Sequence, residues 1–109
     1  MKKLFLALAI IFPVSAHADK ERCITITSSI GFTSILESSD YCKFNKQLPE
    51  RLAVEYRAND CDNLLTDEDR QAIAAIIATD TARGFARFGK KEMCKVVKTS
   101  YDTLDEALK

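Results

Sequence analysis

Apolar residues along this chain recur mostly three and four positions apart, the spacing of one helix face. The longest such stretch is Thr66 to Phe88, TDEDRQAIAAIIATDTARGFARF. Ile73, Ile77, Gly84 and Phe88 fall on one side of it, flanked by Ile76, Thr81 and Phe85. Ala75, Ala82 and Ala86 line the opposite side, with Thr79 beside them. Thr66 is an N-cap whose hydroxyl can accept from an otherwise unpartnered N–H of the first turn. Asp69, three residues on, makes a shortened capping box. Asp67, Glu68 and Asp69 put negative charge at the positive end of the helix dipole, and Arg83 and Arg87 sit near its negative end. Gly89 marks the stop. Such a helix, with few large polar groups on any side, is expected to be buried with the others packed around it.

The remaining pattern adds three more helices. In Cys23–Ser39, CITIT alternates as a short strand does. Ile26, Ile30 and Thr33, however, recur at helical spacing, as do Ile35 and Leu36 with Phe32. No second strand is available for pairing, and an unpaired strand gains little. A helix from about Ile26 to Ser38 is therefore expected, with a frayed or extended start. A second helix lies within Lys43–Asn59, with Pro49 in its first turn and Leu52 and Tyr56 on one face. It ends at Asn59-Asp60, which puts Cys61 in a loop, and Leu65 then serves as a hydrophobic staple before Thr66. From about Lys90 to Ala107, Met93, Val97, Leu104 and Leu108 line one face, with Tyr101 on its flank and Cys94 at its edge. Lys98 and Asp102 are placed to pair on the outside. No repeat, linker or low-complexity tract divides the chain. The expected fold is an all-α single domain, a small bundle of about four helices.

The first eighteen residues read differently. Lys2 and Lys3 precede an unbroken apolar run from Leu4 to Phe12, Pro13 ends it, and Ala16-His17-Ala18 supplies a small-x-small cleavage pattern. This is the plan of an export leader removed after Ala18, and the run is too short to span a bilayer. Lys20-Glu21-Arg22 before Cys23 is unlike the small apolar residues that precede a lipidated cysteine. The mature chain is then Asp19–Lys109, in the periplasm or outside the cell. Without Lys2 and Lys3 it carries fourteen basic side chains against sixteen acidic ones. That balance argues against a nucleic-acid partner.

Export changes the meaning of the four cysteines, Cys23, Cys42, Cys61 and Cys94. An even number in a short exported chain implies two disulfides. The gaps of 18, 18 and 32 residues lack the close pairs of a zinc site, and there is no C-x-x-C redox motif. Three pairings are open to four cysteines. The preferred one, Cys23–Cys61 with Cys42–Cys94, ties both early segments to later ones so that no part opens alone. A domain this small buries a modest share of its surface, so bridges of about 3–5 kcal/mol each matter.

The residues speak against catalysis and against a bound metal or cofactor. The only histidine, His17, lies in the leader, which leaves no imidazole base or ligand. Paired cysteines leave no thiol, and three glycines make no phosphate loop. Asp60, Asp62, Asp67, Glu68 and Asp69 cluster around one loop. Its calcium-loop match fails at Leu64 and at the missing glycine, and solvated helix-start charge accounts for the rest. Paired carboxylates could also cleave a glycan. Phe85, Phe88, Phe44 and Tyr41 are expected in the core. Asp80, with Arg83 and Arg87 along the same stripe, is the candidate contact for a partner, set against a local ion pair at the core's edge. In general character the chain is similar to small helical periplasmic proteins, a group that includes acid-stress chaperones. The similarity lies in leader, size, helices and disulfides and implies no role for any residue. The expectation is an exported protein that binds another envelope or secreted protein. A stress chaperone, an accessory subunit of a secretion or pilus apparatus, and a carboxylate-based cell-wall hydrolase are the alternatives.

Overall fold

A computed structural model describes the backbone of residues 12–109 and the side chains of residues 19–109. Five helices follow one another: α1 (Phe12–Glu37), α2 (Leu48–Ala58), α3 (Cys61–Leu64), α4 (Asp67–Phe88) and α5 (Lys90–Ala107). Among the described residues there is no strand. The fold is an all-α bundle stapled by Cys23–Cys61 and Cys42–Cys94. Most of the expected leader, Met1–Ala18, lies outside the described residues; from Phe12 on, the backbone is helical and continuous with α1.

CITIT is therefore helical from its first residue, with no extended start. Hydroxyls along α1 are satisfied within the helix. Thr27 donates to the carbonyl of Cys23 at 2.7 Å, Thr33 to that of Ser29 at 2.7 Å, and Ser34 to that of Ile30 at 2.7 Å. Each side chain bonds back four residues within the helix instead of competing with it. Cys23, Ile26, Thr33 and Leu36 are buried, and with Ile30 they form one continuous stripe. Counted as an apolar residue, Cys23 opens that stripe.

The hub of the bundle is α1, not α4. α2 runs antiparallel to α1: Leu48 at its start donates to Glu37, and Asn59 just past its end meets Arg22. α4 runs parallel to α1 on another side, from Lys20 opposite Asp69 to Gly31 opposite Ile77. The caps of α4 are as expected. Thr66 and Asp69 exchange backbone bonds at 3.0 Å each in a full capping box, and Gly89 stops the helix at a φ of 81°. Burial of α4 is not as expected. Only Thr81 and Phe85 are buried, while Ile76 is 59% and Phe88 58% exposed. The inward stripe is rotated onto Ile77, Thr81 and Phe85, and the alanine side is exposed among the described residues. Phe88 thus leaves the expected core and lies under the guanidinium of Arg87, 5.6 Å from its ring centre.

Cys61 is not in a loop. It starts the single turn α3, after Asp60 takes the left-handed conformation at a φ of 58°. That turn lowers Cys61 onto Cys23. The two bridges each anchor a cluster. At one end Cys23, Ile26, Cys61 and Leu65 are buried together, with Tyr56 and Ile73 against them. At the other, Leu36, Leu48, Leu52, Phe85, Val97 and Tyr101 form the larger core, covered by Tyr41, Phe44 and Met93.

Candidate functional site

α5 is the element whose attachment creates a concave surface. Gly89 turns the chain out of α4, and Met93 packs back on Gly84, whose missing Cβ leaves the room for it. Cys94 is then bonded to Cys42, and Val97 enters the larger core. Farther along, Tyr101 and Asp105 are buried one turn apart. The Tyr101 hydroxyl donates to Glu37 Oε2 at 2.6 Å and accepts from the backbone N–H of Lys46 at 2.9 Å. The same Glu37 oxygen accepts from the N–H of Leu48 at 2.9 Å, an otherwise unpartnered donor of the first turn of α2. Asp105 accepts from Arg51 Nη1 at 2.5 Å and from Lys46 Nζ at 3.2 Å, while Arg51 Nη2 donates to its carbonyl at 3.0 Å. This polar latch joins the ends of α1 and α5 to the start of α2.

The latch sets its own protonation. The Arg51 hydrogen bond, with Lys46 assisting, holds the Asp105 carboxyl below the usual carboxylate range against the cost of burial. Burial, then the bond to Glu37, pushes the Tyr101 hydroxyl up to about 12. Both shifts widen the pH range over which the latch keeps its working forms, a carboxylate that accepts and a phenol that donates.

Beyond the disulfide and alongside the latch, with Tyr101 in its wall, α5 stands off α1 and leaves a groove of about 400 Å³, within the range of ligand sites. Phe32 and Leu104 line it together with Ser29, Thr33, Ser100 and Ala107. None of its lining residues is charged. The groove can remove an apolar group from water and offer hydroxyls at the rim. The Thr33 hydroxyl is already committed to the Ser29 carbonyl, so Ser29, Thr99, Ser100 and Thr103 are the adaptable ones. No base stands among the lining residues to activate either serine.

The residues singled out from sequence lie elsewhere. Asp80 and Arg83 pair at 3.3 Å on the outside of α4, 62% and 71% exposed. They do not close the edge of the core, and Arg87 joins the Phe88 ring instead of that pair. In the acidic loop, Arg70 gathers Asp67 and Asp62, Asp69 is the cap, and Asp60 accepts from Asn63. Among the described residues no cluster of three metal-ligating side chains exists. Sequence reasoning missed Glu37, Arg51, Tyr101 and Asp105. The spacing of Tyr101 and Asp105 on one face was readable, but nothing local points to partners 64 and 54 residues away.

No known protein family, curated protein or solved structure matches this chain. Its two disulfides belong to an oxidising environment. Among the described residues no helix is long and apolar enough to cross a membrane.

Proposed function

We propose that the protein is exported, loses its leader near Ala18, and acts by binding another protein of the envelope or the secreted fraction. The groove between α1 and α5 receives an uncharged, mainly apolar segment of that partner. The observation that carries this reading is the groove itself. It is an apolar floor with an uncharged hydroxyl rim, along a helix fastened ahead of the groove by a covalent bridge and beside it by a buried latch. A rigid frame around an apolar cleft spares a partner the cost of ordering it.

The test is a crosslinking pull-down from native envelope with wild type and with Ser100→Arg. Ser100 is exposed and on the rim, so the variant keeps its fold, as circular dichroism will verify. Loss of one crosslinked partner with Ser100→Arg supports the reading. An unchanged partner removes the groove from it, and no specific partner at all ends it.

A second reading, an acid-stress chaperone, draws on the latch. Its buried acceptor is the Asp105 carboxylate, and the discharge of that group would loosen α5 over Phe32 and Leu104. A surface-hydrophobicity dye that binds no better at acid than at neutral pH would remove this alternative.

A further inference from the structure

We propose that Cys42–Cys94 is a site of reversible thiol–disulfide exchange with an external dithiol, while Cys23–Cys61 is closed to it. Exchange needs a thiolate to reach one sulfur and the other sulfur to leave as a stabilised thiolate. The two bridges differ in both respects. Cys23 and Cys61 are 0% exposed and buried together with Ile26 and Leu65. Cys42 and Cys94 are both half-buried at the margin of the larger core, and Cys42 lies in a turn outside any helix.

Charge separates the bridges further. Cys61 stands between Asp60 and Asp62, whose negative charges disfavour a thiolate. The cations near Cys23 along α1, Lys20 and Arg22, are engaged with Asp69 and Asp19. Around the other bridge the sign reverses. Lys43 follows Cys42, Lys95 follows Cys94, and Lys91 lies one turn before Cys94 on the same side of α5. All three lysines are exposed, and among the described residues they take part in no ion pair. Lys98, on the next turn, is taken by Asp102 at 2.8 Å. Unpaired cations beside a cysteine stabilise its thiolate and make it the better leaving group. They also draw in an anionic attacking thiolate.

One thiolate of the dithiol attacks Cys42 Sγ, the Cys42–Cys94 bond breaks, and Cys94 leaves as a thiolate beside Lys91 and Lys95. The second thiolate of the dithiol then attacks its own sulfur in the mixed disulfide, and Cys42 leaves as a thiolate beside Lys43. Two electrons pass to the cysteine pair, the dithiol becomes a disulfide, and the protons it gave up end on Cys42 and Cys94. In an oxidising environment the reverse exchange re-forms the bond. Opening is local, because Tyr101 and Asp105 still hold the second half of α5. The bond therefore governs Lys90–Val97, and the α5 wall of the groove, from Thr99 on, stays in place.

The measurement is the rate at which each cysteine becomes open to an alkylating reagent, read by peptide mass, in the native protein under limiting dithiothreitol. Cys42 and Cys94 are expected to be alkylated together, about tenfold faster or more than Cys23 and Cys61. Lys91→Glu with Lys95→Glu, two exposed positions near the start of α5, should slow Cys42–Cys94 several-fold and leave Cys23–Cys61 unmoved. Added salt should slow the wild-type bond as well. Hydrogen exchange on the opened form should show Lys90–Val97 released and the end of α5 protected. Equal rates for the two bridges, or a faster Cys23–Cys61, overturn the proposal. So does a Cys42–Cys94 rate indifferent to both charge reversals and salt, or an opening that carries Cys23–Cys61 with it.

Discussion

The two disulfides sit at opposite ends of the bundle and hold unlike surroundings. Around Cys23–Cys61 a small apolar cluster is closed by a single-turn helix, and the bond is the main link between α1 and α3. Around Cys42–Cys94 the bond is one fastening among several, with Val97, Tyr101 and the Glu37–Asp105 latch holding the same helix. One end depends on covalent closure; the other spreads its hold over packing, hydrogen bonds and charge. The difference shows why a groove can persist beside α5. A helix pinned at Cys94 and held along one side by Tyr101 and Asp105 need not press its other side, Ser100, Leu104 and Ala107, against α1.

The largest effect follows from cutting each bridge in turn. Loops of 38 and 52 residues give nearly the same entropic term, about 4 kcal/mol for each. The costs should therefore be similar in chemical denaturation, and the location of the damage should differ. Cys23→Ala with Cys61→Ala should leave the amides of α3 and the end of α2 exchanging freely. Cys42→Ala with Cys94→Ala should leave the second half of α5 protected by its latch. If hydrogen exchange shows α5 released throughout, the latch does not hold it and the contrast fails.

Next in size are the two cores. Leu36 is fully buried at the centre of the larger one, and Leu36→Ala is expected to cost about 3–4 kcal/mol. Leu65 is 2% exposed in the smaller cluster, next to a one-turn helix that can settle inward. Leu65→Ala should therefore cost about 2–3 kcal/mol, toward the lower end for such truncations. Equal losses in thermal unfolding would mean that the small cluster is as rigid as the large one.

The latch makes its end of the molecule sensitive to pH in both directions. Asp105 has its folded pKa below the unfolded one, so its contribution is present above the ordinary carboxylate range and disappears as pH falls through the depressed value. Asp105→Asn should flatten the acid limb of the stability profile. Tyr101 has its folded pKa raised from 10 to about 12, so its contribution is complete below pH 10 and is lost between there and about 12. Tyr101→Phe removes one hydroxyl with two bonds, and about 1–2 kcal/mol is expected at neutral pH. It should also abolish the loss of stability over that alkaline window. Stability measured by denaturant at pH 8 and pH 11 decides this, because a Phe variant that still loses stability there would assign the titration elsewhere.

How far these features could be read from sequence depends on how local their causes are. The capping box of Thr66 and Asp69, the stop at Gly89 and the start of α2 around Pro49 are made by neighbours, and they are where the pattern places them. The pairing of the cysteines was one of three open to sequence, and the one preferred for tying both early segments to later ones is the one found. The hub is different. The stripe of α1 opens with a cysteine and includes a threonine, so its apolar weight looked weaker than that of α4. The alanines of α4 looked like a packing face, which they are in shape, yet among the described residues no helix occupies them. The latch was illegible because Glu37, Arg51 and Asp105 resemble ordinary surface charges until the fold brings three separate segments together.

The charged stripe on α4 provides the smallest effect and the strictest control. Asp80 and Arg83 are one turn apart, more than half exposed, and their bond at 3.3 Å is of a kind that solvent and side-chain entropy nearly cancel. Asp80→Ala should change monomer stability by no more than about 0.5 kcal/mol. It should alter neither the acid limb governed by Asp105 nor the alkaline step governed by Tyr101. A change above about 1 kcal/mol in dilute, monomeric protein would mean that Asp80 supports the fold after all.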